Sequence, residues 1–286
     1  MTALFGPAGN SDSFSAQYKS SLDAPRFLRG MGLDLYEYQC GRGVNIGEET
    51  ARALGERARE HGIALSVHSP YFINLSSPEP ERRQKNIGYI ISSCRAAQQM
   101  GAGRVVVHCG GLTGQTREQA LANTVSGLRQ ALQAMDDEGV GEVRLCIETM
   151  GKINVLGDLD EVIRICQSDE RLLPCIDFGH LNARTMGGMS TRDDLAGALD
   201  ALHRGLGAER ARTFHAHFSK IEYGKGGEVR HLTFADTEYG PEFAPLAALL
   251  AERGLAPHII CESAGTQAED AQAMKSLYLN AVQSSQ

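Results

Sequence analysis

Apolar positions along this chain follow two alternating spacings. Short apolar or β-branched runs at 3–6, 33–38, 63–68, 104–108, 143–148, 172–177, 213–217 and 258–262 have the length of buried strands. Between them lie longer stretches with apolar residues at helical spacing: 47–59, 79–100, 117–135, 158–166, 192–206, 242–252 and 268–282. Gly62, Gly101, Gly139 and Gly254 stand just past four of these helices, where a left-handed C-cap is wanted. Only the stretch from the first strand to Gly32 and that from Gly224 to Gly240 read as irregular. Strict alternation of eight strands with helices closes most simply as a parallel barrel. The expected fold class is therefore α/β, a single (β/α)8 barrel with residues 1–286 as one domain.

Composition narrows the chemistry. The chain has 42% hydrophobic residues and no apolar run near the ~20 residues of a membrane span, so membrane contact is not expected. The opening MTALFGPAGNSDSF has no basic segment followed by an apolar one, which reads as a cytoplasmic protein, and a monomer is expected. Seven cysteines without a CxxC pair read as reduced core thiols. A net charge of −7 argues against coating nucleic acid by bulk electrostatics, but leaves room for a local site whose positive charge comes from metal ions.

The strand ends carry the chemistry. SVH ends at His68, VVVH at His108, LCIE at Glu148, LLPCID at Asp177 with His180 three residues on, FHAH at His215 and His217, and IICE at Glu262. A lone strand-end histidine is more often a hydrogen-bonded structural residue than a ligand. In a parallel barrel, however, all these ends open on one mouth, and six in succession bearing His, Asp or Glu point to a metal centre. Three protein ligands hold one catalytic zinc, so this set suffices for two or three ions, with Glu148 able to bridge two of them. His61, His203 and His258 lie away from strand ends of that kind and are assigned no function.

HSPYFINLSSP, VVVHCGG, IET, IDFGHLNA, HAHFSK and ICES together resemble the endonuclease IV family of apurinic/apyrimidinic endonucleases. These are TIM barrels of the xylose isomerase-like superfamily, with a trinuclear zinc site that hydrolyses DNA 5′ to abasic sites. The resemblance implies Zn2+ as cofactor, DNA containing abasic sites as partner, and Glu148 and Glu262 as catalytic residues. It implies a first zinc on His68, His108 and Glu148, a second on Glu148, Asp177, His215 and Glu262, and a third on His180 and His231. Tyr71, Phe72 and Arg42 would contact DNA, and Lys220 or Arg184 would offset phosphate charge.

Two departures from the family pattern bear on that assignment. Val229 stands where the family has an aspartate two residues before the histidine of its seventh-strand loop. The third position is therefore expected to be empty, weaker, or completed by Glu228 or His217. His217 and Phe218 also interrupt the family's His-x-x-Asp before Ser219 and Lys220. The competing reading is a single-metal sugar isomerase or epimerase of the xylose isomerase-like group, using Glu148, Asp177, His215 or His217, and Glu262. His68 and His108 discriminate, because one metal does not need them. A metal-binding scaffold without turnover is the third class.

Overall fold

The computed structural model describes residues 2–284. In chain order the elements are β1 (Leu4–Pro7), α1 (Asp12–Gln17), a 3-10 turn (Ser21–Asp23), α2 (Ala24–Gly30), β2 (Leu35–Gln39), α3 (Glu48–His61) and β3 (Ala64–His68). There follow α4 (Pro80–Met100), β4 (Arg104–His108), α5 (Arg117–Asp137), β5 (Arg144–Glu148), α6 (Leu159–Cys166), β6 (Leu173–Asp177), α7 (Phe178–Arg184) and α8 (Arg192–Arg212). The chain ends with β7 (His215–Phe218), β8 (Ile221–Gly224), β9 (Gly227–His231), α9 (Phe243–Glu252), β10 (His258–Cys261) and α10 (Gln267–Ser284).

Eight parallel strands form one sheet in the order β1, β10, β7, β6, β5, β4, β3, β2, surrounded by helices. The seam between β1 and β2 is drawn together by a parallel bridge from Ala8 to Glu37 and by Asp34 N–H donating to Phe5 O at 2.9 Å. The result is a (β/α)8 TIM barrel. Gly6 makes the seam possible, because a Cβ there would lie 1.7 Å from the Leu35 carbonyl oxygen.

Residues alternate between two cores, as the pleat of a strand requires. Val105, Val107, Leu145 and Ile147 face the helices, while Val106, Cys146, Leu173 and Cys175 fill the barrel interior. Because both faces are buried, the strands read as continuous apolar runs. All seven cysteines are buried and free of disulfides.

Each of the eight strands lies within two residues of its expected place, and the four helix-ending glycines all have positive φ. The two stretches read as irregular are only partly so. The first contains α1 and α2, too short for helical periodicity to register; α1 starts where the Ser11 hydroxyl accepts from Phe14 N–H. The second overlaps the β8–β9 hairpin, whose partly exposed strands lack an apolar run. α8 outruns its expected end, continuing past a break at Gly207 to Arg212. Among the described residues, no helix is long and apolar enough to cross a membrane.

Candidate metal centre

The strand register sets the level of each functional side chain. His108 pairs with Glu148, and Asp177, two residues beyond the Cys175 that pairs with Glu148, pairs with His217, so all four stand at the C-terminal ends of their strands. That mouth holds a cavity of about 540 Å³, with His68, His108, Glu148, His180, Glu228, His231 and Glu262 on its wall.

Glu148 is the hub. Its Oε2 lies 3.2 Å from His68 Nε2 and 3.0 Å from His108 Nε2, and its Oε1 lies 3.1 Å from His217 Nδ1 and 3.4 Å from His180 Nδ1. Burial would raise its pKa, but the surrounding imidazoles, His217 and His108 foremost, hold it well below the usual carboxylate range. His68 is raised to about 9 and His180 to about 10, because carboxylates, Glu148 for His68 and Asp177 with Glu148 for His180, outweigh the burial that opposes a charged ring. Without metal, His68 and His180 are thus held as imidazoliums among buried carboxylates.

The Asp-x-x-His spacing has a local cause. Asp177 is the N-cap of α7, and its Oδ1 accepts from the backbone N–H of His180 at 2.7 Å. The other oxygen, Oδ2, lies 3.1 Å from His180 Nδ1, off the line of a hydrogen bond, and burial pushes this carboxyl up to about 6 despite the pull of His180. A buried oxygen that has an ion pair but no hydrogen bond, set among Glu148, His217 and Glu262, is a position a cation would satisfy.

Four imidazoles are oriented alike. The Nδ1 of His68 faces Ser69 O at 2.7 Å, that of His108 faces Tyr71 O at 3.0 Å, that of His180 faces Thr149 O at 3.0 Å, and that of His231 meets Ser219 Oγ at 2.8 Å. Each anchored Nδ1 leaves Nε2 as the ligand-type lone pair, the arrangement usual for metal-binding histidines. Donor atoms converge in overlapping groups at the mouth: His68, His108 and Glu148; His68, His217 and Glu262; Glu148, Asp177, His217 and Glu262; and His180, Glu228 and His231; a deeper group joins His217 to Cys175 and His215. Nitrogen and carboxylate donors predominate, with the Cys175 thiol, pushed up by burial, beneath His217, and such a set fits divalent ions such as zinc.

Two expectations are corrected. His215 does not reach the mouth: it shares a face with His217, but two residues back along the strand places it about 7 Å deeper. It pairs in register with Cys175 and His258, and its Nε2 lies 3.0 Å from Glu37. Buried there, it is lowered to about 4. His217 occupies the mouth position instead.

Lys220 is not free for phosphate. It is 4% exposed, its Nζ donating to Asp236 O and lying 2.5 Å from Glu242 Oε1. Arg184 is likewise occupied, donating to the carbonyls of Met150, Lys152 and Val155.

Of the alternatives offered for the group at His180 and His231, Glu228 is the one that stands beside them. Val229 is 57% exposed, but Glu228 beside it brings Oε2 to 3.5 Å from His180 Nε2 and Oε1 to 3.9 Å from His231 Nε2. The β5 loop holds the hairpin in place, with Glu228 N–H donating to Gly151 O and Lys152 bridging Gly227. Gly227, at φ 88°, permits this contact, since a Cβ there would lie 2.1 Å from Gly151 O.

Tyr71 and Phe72 line the cavity and are 58% and 40% exposed, and Arg42 is exposed next to Gly41 on the same rim. Sequence reasoning missed Lys152, Gln39 and Asn74, which also line the cavity, and Glu37, which lies beneath it. The available signal for Glu37 was a charged residue inside the apolar run LYEY.

Residues 25–279 match the model of the xylose isomerase-like TIM barrel family. An uncharacterized protein of Methanocaldococcus jannaschii is 31% identical over 260 residues, covering 91% of each chain. A probable endonuclease 4 of Shouchella clausii is 31% identical over 170 residues, 57% of this chain and 56% of that protein. Among solved structures, a D-tagatose 3-epimerase-like protein superposes with a TM-score of 0.70 at 21% identity, covering 88% of this chain and 90% of its own; it shares the fold.

Proposed function

This chain belongs to the xylose isomerase-like TIM barrel family, and within it we propose a metal-dependent phosphodiester hydrolase acting on DNA at abasic sites with two or three zinc ions. The observation that carries the reading is the division of Glu148. One oxygen faces His68 and His108, and the other faces His217 and His180. A carboxylate so divided suits two ions, whereas a single-metal centre leaves His68 and His108 without a task.

Divalent ions in such a centre supply a nucleophile at neutral pH and offset charge on the phosphate. The chain's own residues do the rest. Glu148, Asp177, His217 and Glu262 form the central donor set, His68 and His108 flank it on one side, and His180, Glu228 and His231 flank it on the other. Lys152, on the cavity wall, takes the phosphate-facing role expected of Lys220. The exposed Tyr71 and Phe72 offer apolar surface against which a disrupted base step packs, and extrusion costs less where a base is already missing. Kinship with proteins named probable endonuclease 4 supports the same substrate.

The specific observation behind a second reading is that Glu148, Asp177, His217 and Glu262 by themselves form one compact group, enough for a single-metal sugar epimerase. Elemental analysis of protein purified without added metal, with incision of a duplex bearing a tetrahydrofuran abasic analogue, separates the two. Two or three zinc equivalents with strand incision support the hydrolase. One manganese or magnesium equivalent without incision overturns it.

A further inference from the structure

His217 departs from its neighbours in the way its ring is held. The other four imidazoles of the centre are anchored through Nδ1 by a carbonyl or a hydroxyl and present Nε2. His217 presents Nδ1, which lies 3.1 Å from Glu148 and 3.5 Å from Glu262, and turns Nε2 down into the barrel. What meets Nε2 there is Oε1 of Glu37, at 3.0 Å and off the line of an ideal hydrogen bond.

Glu37 sits on β2, fully buried, and is not itself part of the cavity wall. Its Oε2 accepts from Ser66 Oγ at 2.8 Å and lies 3.0 Å from His215 Nε2, and Gln39 Nε2 donates to its Oε1 at 3.3 Å. A carboxylate in a barrel interior otherwise packed with Val106, Cys146, Leu173 and Cys175 is costly to desolvate. It is retained here with Ser66, His215 and Gln39 turned towards it, and it reaches the mouth through the ring of His217 and the amide of Gln39, which lines the cavity.

We propose that Glu37 is a positioning residue: through His217 Nε2 it fixes the proton on that nitrogen and the Nδ1 lone pair towards the metal centre, with Ser66 and His215 holding the carboxylate in place. The inference rests on the reading of this mouth as a metal centre. Glu37 touches neither substrate nor metal, and acts as the outer partner of a carboxylate–histidine–metal chain. It also accounts for His215, which supports Glu37 from below.

The test is cobalt binding to metal-stripped protein, read by the visible spectrum of the bound ion and by competition with a chromophoric chelator. Glu37→Gln keeps side-chain volume and removes the charge. It is expected to weaken one cobalt equivalent by about 10–100-fold, the usual cost of losing an outer partner, and to shift that ion's spectrum. The melting temperature of the metal-free protein is recorded alongside. Glu37→Asp, which keeps the charge but withdraws it, should fall between parent and Glu37→Gln, and replaces it should that variant not fold.

In a His217→Ala background, Glu37→Gln should have no further effect on cobalt affinity. Unchanged affinity with only a lower metal-free melting temperature overturns the inference and leaves Glu37 a structural residue. So does a loss that persists without His217. If the parent protein itself binds no cobalt, the metal-centre reading fails and the inference falls with it.

Discussion

Glu148 Oε1 and His217 Nδ1 stand 3.1 Å apart at the barrel mouth, joining β5 to β7 across the centre. The same carboxylate reaches His68 and His108 with its other oxygen, so the loss of one charge uncouples both sides of the cavity.

Glu148→Gln is therefore expected to remove more activity than the roughly 10–100-fold that loss of an outer partner produces. It should also lower zinc content by at least one equivalent. At pH 7 the metal-free variant should melt below the parent, because the buried imidazoles lose their shared counter-charge. Wild-type incision rates with full metal content would rule out a bridging role.

Exchange of the two β7 histidines separates depth from identity. His217→Ala is expected to lose a metal equivalent. His215→Gln should retain the parent stoichiometry, with only weaker retention, since its ring lies beneath the centre against Glu37. Equal metal loss from both variants contradicts the assignment of levels.

At the hairpin, Glu228→Gln should empty the His180 and His231 position first under chelator, whereas Val229→Asp should change nothing, its side chain pointing into solvent. Metal counting after partial chelation checks this. Tighter metal retention by Val229→Asp would mean that the hairpin follows another path.

The stability of the metal-free protein should depend on pH in a stated direction. An unfolded imidazole titrates near 6.5, while His68 and His180 in the fold titrate at about 9 and about 10. Folded-state pKa values raised in this way contribute stability that is complete below about 6.5. That stability is lost as pH rises through 9 to 10, so the metal-free melting temperature should fall over this window. Metal affinity should climb over the same range, because the rings must shed protons to bind. Thermal melts at stepped pH, with and without zinc, measure both; a metal-free melting temperature that rises over the window refutes the charge network.

Gly6→Ala tests closure of the barrel. A methyl group 1.7 Å from Leu35 O cannot be accommodated without parting β1 from β2, so a loss exceeding about 4 kcal/mol, or failure to fold, is expected. A soluble variant melting within a few degrees of the parent would show that the seam is pliable.

The sequence alone determined the barrel and most of its mouth. Strands buried on both faces announce themselves as apolar runs whatever they pack against, and in a parallel barrel each run's last residue faces the same opening. That is why His68, His108, Glu148, Asp177 and Glu262 were legible one strand at a time. Depth was not, because His215 and His217 have the same alternation and differ only in register against β6 and β10. Nor was the choice between Glu228 and Val229, which depends on a hairpin pinned by a loop some 75 residues earlier in the chain. Glu37 and His217 are 180 residues apart, and only the closed sheet makes them neighbours. Local spacing specifies which face a side chain takes; its level and its partners come from strands that meet only when the barrel closes.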